Sequence, residues 1–406
     1  MDFRLNETQE ALRAMAREFA EREIKPIALE RDRMTLRDAD VFSWDIVKKG
    51  SALGLRTLAV PQEHGGGGAD RVTQVLVMEE MSRADAGISK TFSQNWKWTP
   101  ILTQLMTPDQ RNHFLPLFVD NPTCLLAMGQ TEPGAGSDNV IPYDAPGAGL
   151  MLRAERDGDH YILNGVKHYI ANGGVATLYF IVARTGPSVG VSRGSTLFVV
   201  PADTPGFRVG RRHEKMGFRF YQQAELILEN CRVPAFHRIG AENSAYALKQ
   251  TRLMAFDNLE IGTTVLGVAQ AAYEAALEYA KGRVQGGQPI IRHQAIALML
   301  GDMRMRLEAA RSYLYRVAWH MDTDTPMDRE ARIMVKTFCV ETAVAVTQAA
   351  VEIFGGSGIM KEGPVEKYLR DAAVFIHLGA SRAHRLRAMQ HLMDGSAGLS
   401  AAALAG

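Results

Sequence analysis

The spacing of apolar residues changes character twice along the chain. Over residues 1–125 they recur every three or four positions among charged ones, the period of an amphipathic helix. Asn6 and Gln9 form a capping-box pattern before LRAMAREFAEREI, and Thr107-Pro108 offers an N-cap and an N1 proline to DQRNHFLPLFVD. EHGGGGAD (63–70) interrupts the helices, because four successive glycines lose too much backbone entropy in a regular element. Over 126–240 the period shortens to two. LMLRAERDGDHYILNG alternates across an Asp157-Gly158 turn, and TLYFIVART (177–185), STLFVVPAD (195–203) and AELILENCRVP (224–234) read as further strands. From 241 to 395 the helical period returns, in candidates 244–282, 291–322, 327–354 and 364–393, with RVQGGQPI (283–290) as a break. Residues 396–406 are expected to be a flexible tail. The pattern predicts an α+β chain: an N-terminal helical domain (1–125), a middle antiparallel, barrel-like β domain (126–240) and a C-terminal helical bundle of four helices (241–395).

Composition excludes several classes of function. The formal net charge is +1, and the densest basic run, RVGRRHEK (208–215), reads as a solvated loop rather than a nucleic-acid face. Cys124, Cys231 and Cys339 are odd in number and far apart, with no CxxC pair. That usage fits a reduced, cytoplasmic setting and supplies neither a metal site nor a disulfide framework. The N-terminus is polar where a signal peptide is apolar, and no uninterrupted apolar run approaches the ~18 residues of a membrane span. EHGGGGAD lacks the Lys-Ser/Thr that follows the glycines of a P-loop.

Six segments carry a more specific signal: GQTEPGAGSD (129–138), NGVKHYIANGG (164–174), KMGFRFYQQAEL (215–226), RVQGGQPIIRHQ (283–294), VEIFGGSGI (351–359) and PVEKYLRDA (364–372). In this order, across this layout, the chain resembles the acyl-CoA dehydrogenase family over nearly its whole length. The resemblance implies bound FAD, a homotetramer or related dimer, and oxidation of an acyl-CoA thioester between Cα and Cβ. Electrons would pass to an electron-transfer flavoprotein. It further implies that Thr131 and the backbone around Met128 and Gln130 face the flavin ring. Ser137 would lie near the CoA pyrophosphate, and Tyr169 would take the place of a Trp that packs on the isoalloxazine. Arg283, Glu352, Gly355 and Gly356 would reach a neighbouring subunit's FAD. Two departures stand out: Ala171 occupies a position usually held by Thr or Ser, and Glu352 replaces a common Gln.

The third departure concerns the base. The reaction needs donors at the thioester oxygen and a carboxylate whose pKa is raised by a dry pocket. In most relatives that carboxylate is the Glu of a Glu-Gly-Thr triplet. Counting forward from Arg370-Asp371 puts Gly379 there, and counting back from His384-Arg385-Leu386 gives Leu378. Neither register supplies an acid, and His377 and His384 read as packing or surface residues. A minority of the family supplies its Glu from an earlier helix, at a position matching Asp257, with Asn258 beside it where Arg is frequent. Asp257 also shares a helical face with Met254, Ile261, Thr264 and Val265, an unusual place for an acid. It is therefore the expected base, with Gly379 donating its N–H to the thioester. Glu260 reads as a surface residue.

The acyl pocket should include GISKTFSQNWKWTPI (87–101), with Trp96 and Trp98 either narrowing it or stacking on a ring, and ordinary core packing as the alternative for both. Lys90 and Lys97 read as exposed helical cations, with a carboxylate on the acyl tail as the alternative partner. Relatives acting on glutaryl-CoA carry an Arg aligned with Ser89, which disfavours that substrate. The expected activity is dehydrogenation to the 2-enoyl-CoA. The alternatives are an oxidase using O₂, a redox-neutral elimination of the desulfinase kind, or a non-catalytic FAD- or CoA-binding subunit.

Overall fold

The computed structural model describes residues 4–35, 38, 40–137, 144–250, 253–323, 327, 329–379 and 383–393. The expected tail (396–406) lies outside them, as does the side chain of Met254. The N-terminal helices are α1 (Glu7–Phe19), α2 (Lys25–Met34), α3 (Trp44–Ala52), α4 (Arg71–Ala84), α5 (Ala86–Pro100) and α6 (Pro108–Val119). Both local start signals operate: Asn6 and Thr107 each accept from the backbone N–H three residues on, and Gln9 and Gln110 reciprocate. The Gly65–Gly68 stretch folds back on residues 57–62 through backbone bonds such as Gly68 N–H to the Val60 carbonyl.

The strands are β1 (Leu126–Gly129), β2 (Arg153–Asp157), β3 (His160–Ala171), β4 (Leu178–Arg184), β5 (Ser195–Pro201), β6 (Phe207–Arg212), β7 (Gln223–Pro234) and β8 (Arg238–Ile239). They form one sheet in the order β6-β7-β3-β2-β4-β5-β8, with β1 alongside β4. The β2–β3 hairpin turns at Gly158-Asp159, and Gly158 supplies the positive φ. Two findings correct the sequence reading. The sheet is mixed, since β1 runs parallel to β4 and β2 touches β4 in parallel. The basic run 208–215 is largely strand β6, paired with β7, rather than a loop. Arg208 and Arg211 are exposed while Arg212 is half-buried beyond a register shift, so the run shows no clean alternation to mark it as a strand.

The C-terminal helices are α7 (Ala245–Gln250), α8 (Leu253–Gly282), α9 (Gln294–Thr323), α10 (Arg329–Phe354), α11 (Val365–Val374) and α12 (Ala383–Met393). The short ribbon Val284–Gln285 with Gln288–Pro289 makes the break expected there. Helices α8, α9 and α10 share one apolar core with α4 and α5, including Val265, Leu266, Leu307, Leu314, Val335, Val340 and Val346. One stretch, Glu330–Ile359, is long and apolar enough by composition to cross a membrane. Its packing accounts for that character: α10 lies against α8, α9, α11 and α12 as the central helix of the bundle. The last predicted helix (364–393) is broken, with turns over 375–379 separating α11 from α12.

Candidate functional site

A cleft of about 220 Å³ lies where the β domain meets α5, α8 and the turn after α11. One wall comes from the end of β1 and the far end of β3: Met128, Gln130, Thr131, Tyr169, Ile170 and Ala171. The β3–β7 register shifts between Lys167 and Ile170, and Tyr169 adopts a left-handed φ of 56°. This bulge re-aims the Tyr169 ring, which stands 56% exposed on the cleft wall. Such a large uncovered aromatic face fits a planar ring ligand. Beneath it, Lys167 is fully buried and holds Glu132 at 2.6 Å, and Glu132 in turn accepts from the Met151 and Leu152 backbone. The TEPG turn is thereby fixed to the sheet. Ser137 is exposed and stands outside the cleft, while its neighbour Gly136 lines it.

The opposite wall is ionic. From α5 come Lys90, Gln94, Lys97 and Trp98; from α8 come Asp257 and Ile261; Tyr221, Leu378, Gly379 and His384 complete it. Asp257 is ion-paired with Lys97, and Lys90 meets Glu260 at 2.5 Å, with Lys97 3.5 Å from the same carboxylate. Glu260 Oε1 also accepts from Ser93 Oγ and Gln94 Nε2, each at 2.7 Å. The sequence reading of these groups is corrected: Lys90, Lys97 and Glu260 are buried rather than exposed. Their burial is tolerated because each finds its opposite charge across the α5–α8 contact.

The ionisation of Asp257 departs from expectation. Burial alone would raise its pKa, but Lys97, Lys336 and Lys90 outweigh burial and hold it far below the usual carboxylate range. A base of the kind sought would have been raised. Burial lowers Lys336 to about 8 and also lowers Lys90, whereas Asp257 and Glu260 overcome burial to raise Lys97.

Gly379 sits at the cleft with a φ of 61°. Its carbonyl accepts from Lys336 Nζ at 2.5 Å, and the same ammonium lies 3.3 Å from His384 Nδ1. A Cβ added at Gly379 would lie 2.8 Å from Lys336 Nζ and 3.0 Å from Ile261 Cδ1. The space where a side chain would begin is therefore taken by a lysine ammonium. Upstream, Asp371 accepts from the Phe218 N–H, and Lys367 bridges Asp371 (2.6 Å) and Asp85 (2.7 Å), all buried. Asp85 also caps α5 through the N–H groups of Gly87 and Ile88. One lysine thus ties α11, the 215–221 loop and the start of α5 together.

Other expected site residues are placed elsewhere. Trp96 is fully buried and donates to the Leu55 carbonyl at 2.6 Å, so it belongs to the core, and Trp98 lines the cleft instead. Two indoles two positions apart on a helix diverge by about 200°. Asn258 is buried on α8 beside Asp257 but does not line the cleft. Arg283, Glu352, Gly355 and Gly356 are exposed and lie outside it. His384, read as packing or surface, lies buried on the wall.

The sequence offered no metal-ligand pattern, yet the fold brings His168, His213 and Glu225 together, their ligand atoms within 4.8 Å of one another. The two imidazoles also pack against Tyr169, with ring centroids 3.8 and 4.6 Å away. A larger cavity of about 610 Å³ is walled by Arg17, Glu80, Arg83, Glu274 and Arg311 and holds none of the motif residues.

Comparison with known proteins gives the family. Residues 6–121, 127–231 and 245–393 match the N-terminal, middle and C-terminal domains of acyl-CoA dehydrogenases. The chain belongs to the acyl-CoA dehydrogenase family. It is 35% identical to an acyl-CoA dehydrogenase of Bacillus subtilis, over 97% of this chain and 100% of that one. Its fold superposes on butyryl-CoA dehydrogenase from Megasphaera elsdenii with a TM-score of 0.89 at 31% identity, covering 97% and 100% of the two chains. A chain in the structure of the electron transferring flavoprotein of Acidaminococcus fermentans, studied for flavin-based electron bifurcation, matches at a TM-score of 0.88 and 34% identity. That match covers 97% of this chain and 99% of the other. Members of this family are FAD-dependent flavoproteins, and this acyl-CoA dehydrogenase homologue is an oxidoreductase acting on acyl-CoA.

Proposed function

We propose that the chain catalyses α,β-dehydrogenation of an acyl-CoA thioester to the 2-enoyl-CoA, with Asp257 taking the α-proton. The observation that supports this reading is the cleft itself, which Asp257 lines together with Tyr169, Ile170, Ala171 and Gly379. FAD bound against that wall supplies the two-electron acceptor for the hydride leaving Cβ. Tyr169 offers its exposed ring to the cofactor, and Met128, Gln130, Thr131 and Ala171 lie along the same surface. Gly379 offers a backbone N–H to the thioester oxygen, where charge develops as the proton leaves. Lysine ammoniums around Asp257 keep it ionised and thus able to accept. Arg283, Glu352, Gly355 and Gly356, exposed and away from the cleft, suit contact with FAD held by a second subunit. An electron-transfer flavoprotein is the proposed acceptor, on the likeness to the Acidaminococcus chain.

The test is anaerobic flavin bleaching over an acyl-CoA panel, coupled to ferricenium turnover. Asp257→Asn should retain FAD and bind acyl-CoA yet lose bleaching; bleaching at the wild-type rate would remove Asp257 from the base role. Peroxide formed in air at the rate of turnover would assign the oxidase reaction instead.

A further inference from the structure

The wall formed by α5 and α8 is unsuited to a plain hydrocarbon. Lys90, Lys97, Asp257 and Glu260 keep 4, 9, 15 and 0% side-chain exposure, so they are nearly dry before any ligand enters. Three of them line the cleft, together with Gln94 and Tyr221, whose hydroxyl lies buried behind the surface. That hydroxyl is buried and has no hydrogen-bond partner among the described residues. On this side Trp98, Ile261 and Leu378 are the apolar contributors. A fatty-acyl tail lying here would remove the remaining water from the Asp257–Lys97 pair and return no hydrogen bond. Counting charge, the lysines 90, 97 and 336 stand against the carboxylates 257 and 260, which leaves one cation in excess.

Resting on the dehydrogenation reading above, we propose that the acyl group carries a carboxylate towards its far end. Lys97 receives this anion, aided by the Tyr221 hydroxyl, and in doing so releases Asp257 to act as base. Two observations make Lys97 the receiving group. It lines the cleft, and it is the cation shared between both acids, paired with Asp257 and 3.5 Å from Glu260. Lys90 is held by Glu260 alone at 2.5 Å. Lys336 is fully buried and points to the Gly379 carbonyl.

Asp257 is a weak base while Lys97 holds it, because the pair stabilises the ionised form. A substrate carboxylate competing for the same ammonium weakens that hold and raises the basicity of Asp257. The α-proton then moves to an Asp257 oxygen as the Cα–H bond breaks, and the hydride leaves Cβ for the flavin, so the tail anion is neither consumed nor altered. The anion is thus a switch as well as an anchor, and a neutral acyl chain of equal length leaves the base restrained. The Arg-aligned position of glutaryl-specific relatives does not decide the matter, because Ser89 lies in the core, bonded to Ser82 Oγ and the Met78 carbonyl.

The experiment compares length-matched thioesters on the FAD-loaded enzyme: glutaryl- with pentanoyl-CoA, adipyl- with hexanoyl-CoA, suberyl- with octanoyl-CoA. The limiting rate of anaerobic flavin reduction and the Kd by calorimetry are measured for each. The carboxylated member of the best pair should reduce the flavin about tenfold faster or more, a factor of the size conferred by one charge-assisted hydrogen bond. Lys97→Gln should erase the preference while retaining FAD, and Lys97→Arg should restore part of it. Equal or faster reduction by the hydrocarbon partner overturns the proposal, as does a preference that survives Lys97→Gln. A preference for 5-aminopentanoyl-CoA overturns it in favour of a cationic tail. If no thioester reduces the flavin, the dehydrogenation reading fails, and the Kd values still decide this one. Tighter binding of the carboxylated members, lost in Lys97→Gln, supports it, and equal binding overturns it.

Discussion

Replacing Gly379 with alanine probes the turn that borders the cleft between α11 and α12. Gly379 has a φ of 61°, in the left-handed region, where an L-residue pays about 1–2 kcal/mol. The new Cβ would also meet Lys336 Nζ at 2.8 Å and Ile261 Cδ1 at 3.0 Å. The lysine can retreat, being the flexible end of a side chain, but retreat stretches its 2.5 Å bond to the Gly379 carbonyl. Weakening such a charged hydrogen bond adds about 1 kcal/mol, for a total loss of about 2–3 kcal/mol. Urea unfolding at fixed, saturating FAD measures the change. The double variant Gly379→Ala/Lys336→Met separates the two costs. The backbone penalty persists without the lysine, so alanine should still cost about 1–2 kcal/mol in the Lys336→Met background. A Gly379→Ala protein as stable as wild type would refute the left-handed conformation and the crowding argument together.

Lys367→Met should be the most damaging of the single changes, because it strands two buried carboxylates, Asp85 and Asp371. A loss of about 3–5 kcal/mol in urea unfolding is expected, with Asp371→Asn costing less. Trp96→Phe removes the donor to the Leu55 carbonyl and should cost about 1–3 kcal/mol while leaving the acyl-CoA preference unchanged. Lys336 titrates near 8 in the folded chain against an ordinary 10.5, so between those values the unfolded chain binds more protons and rising pH favours folding. Lys215, lowered to about 7 by burial, acts in the same direction from pH 7 upward. Unfolding free energy measured from pH 8 to 10.5 should therefore climb less steeply in Lys336→Met than in wild type.

Local chemistry made much of the fold legible. Two capping boxes, a glycine-rich return loop and a glycine hairpin turn each act within a few residues, and each appears where its side chains direct. The parallel pairing of β1 with β4 joins residues about fifty positions apart, and no nearby residue encodes it. The split of the last helix at 375–379 was equally silent. Apolar spacing runs through VFIHL without a proline, yet α11 stops at Val374, and the turns that follow carry Gly379 in a left-handed conformation held by a lysine from α10. That contact is tertiary, so periodicity read along one segment could not reveal it.

The site divides along the same line. The wall of Met128, Gln130, Thr131, Tyr169 and Ala171 was legible as a group from two short segments, since strand ends and a bulge are locally encoded. On the ionic wall Lys90, Lys97 and Glu260 were misread as helix surface, although a signal existed at the level of whole stripes. Lys90, Gln94 and Lys97 fall at offsets of four and seven, a single face of α5, while Asp257 and Glu260 share a face of α8 three apart. Two buried helices with facing stripes of opposite charge need each other, because neither stripe tolerates burial alone. Lys336 gives the same signal more sharply: Cys339, Val340 and Ala343, at offsets of three, four and seven, are all buried in the bundle core. A lysine in such a stripe must find acceptors inside the protein, and the ones it finds are the Gly379 carbonyl and the His384 ring. With an ammonium this close to Gly379, the proposed base Asp257 stands on another helix, and the charge of Lys336 helps to keep it ionised.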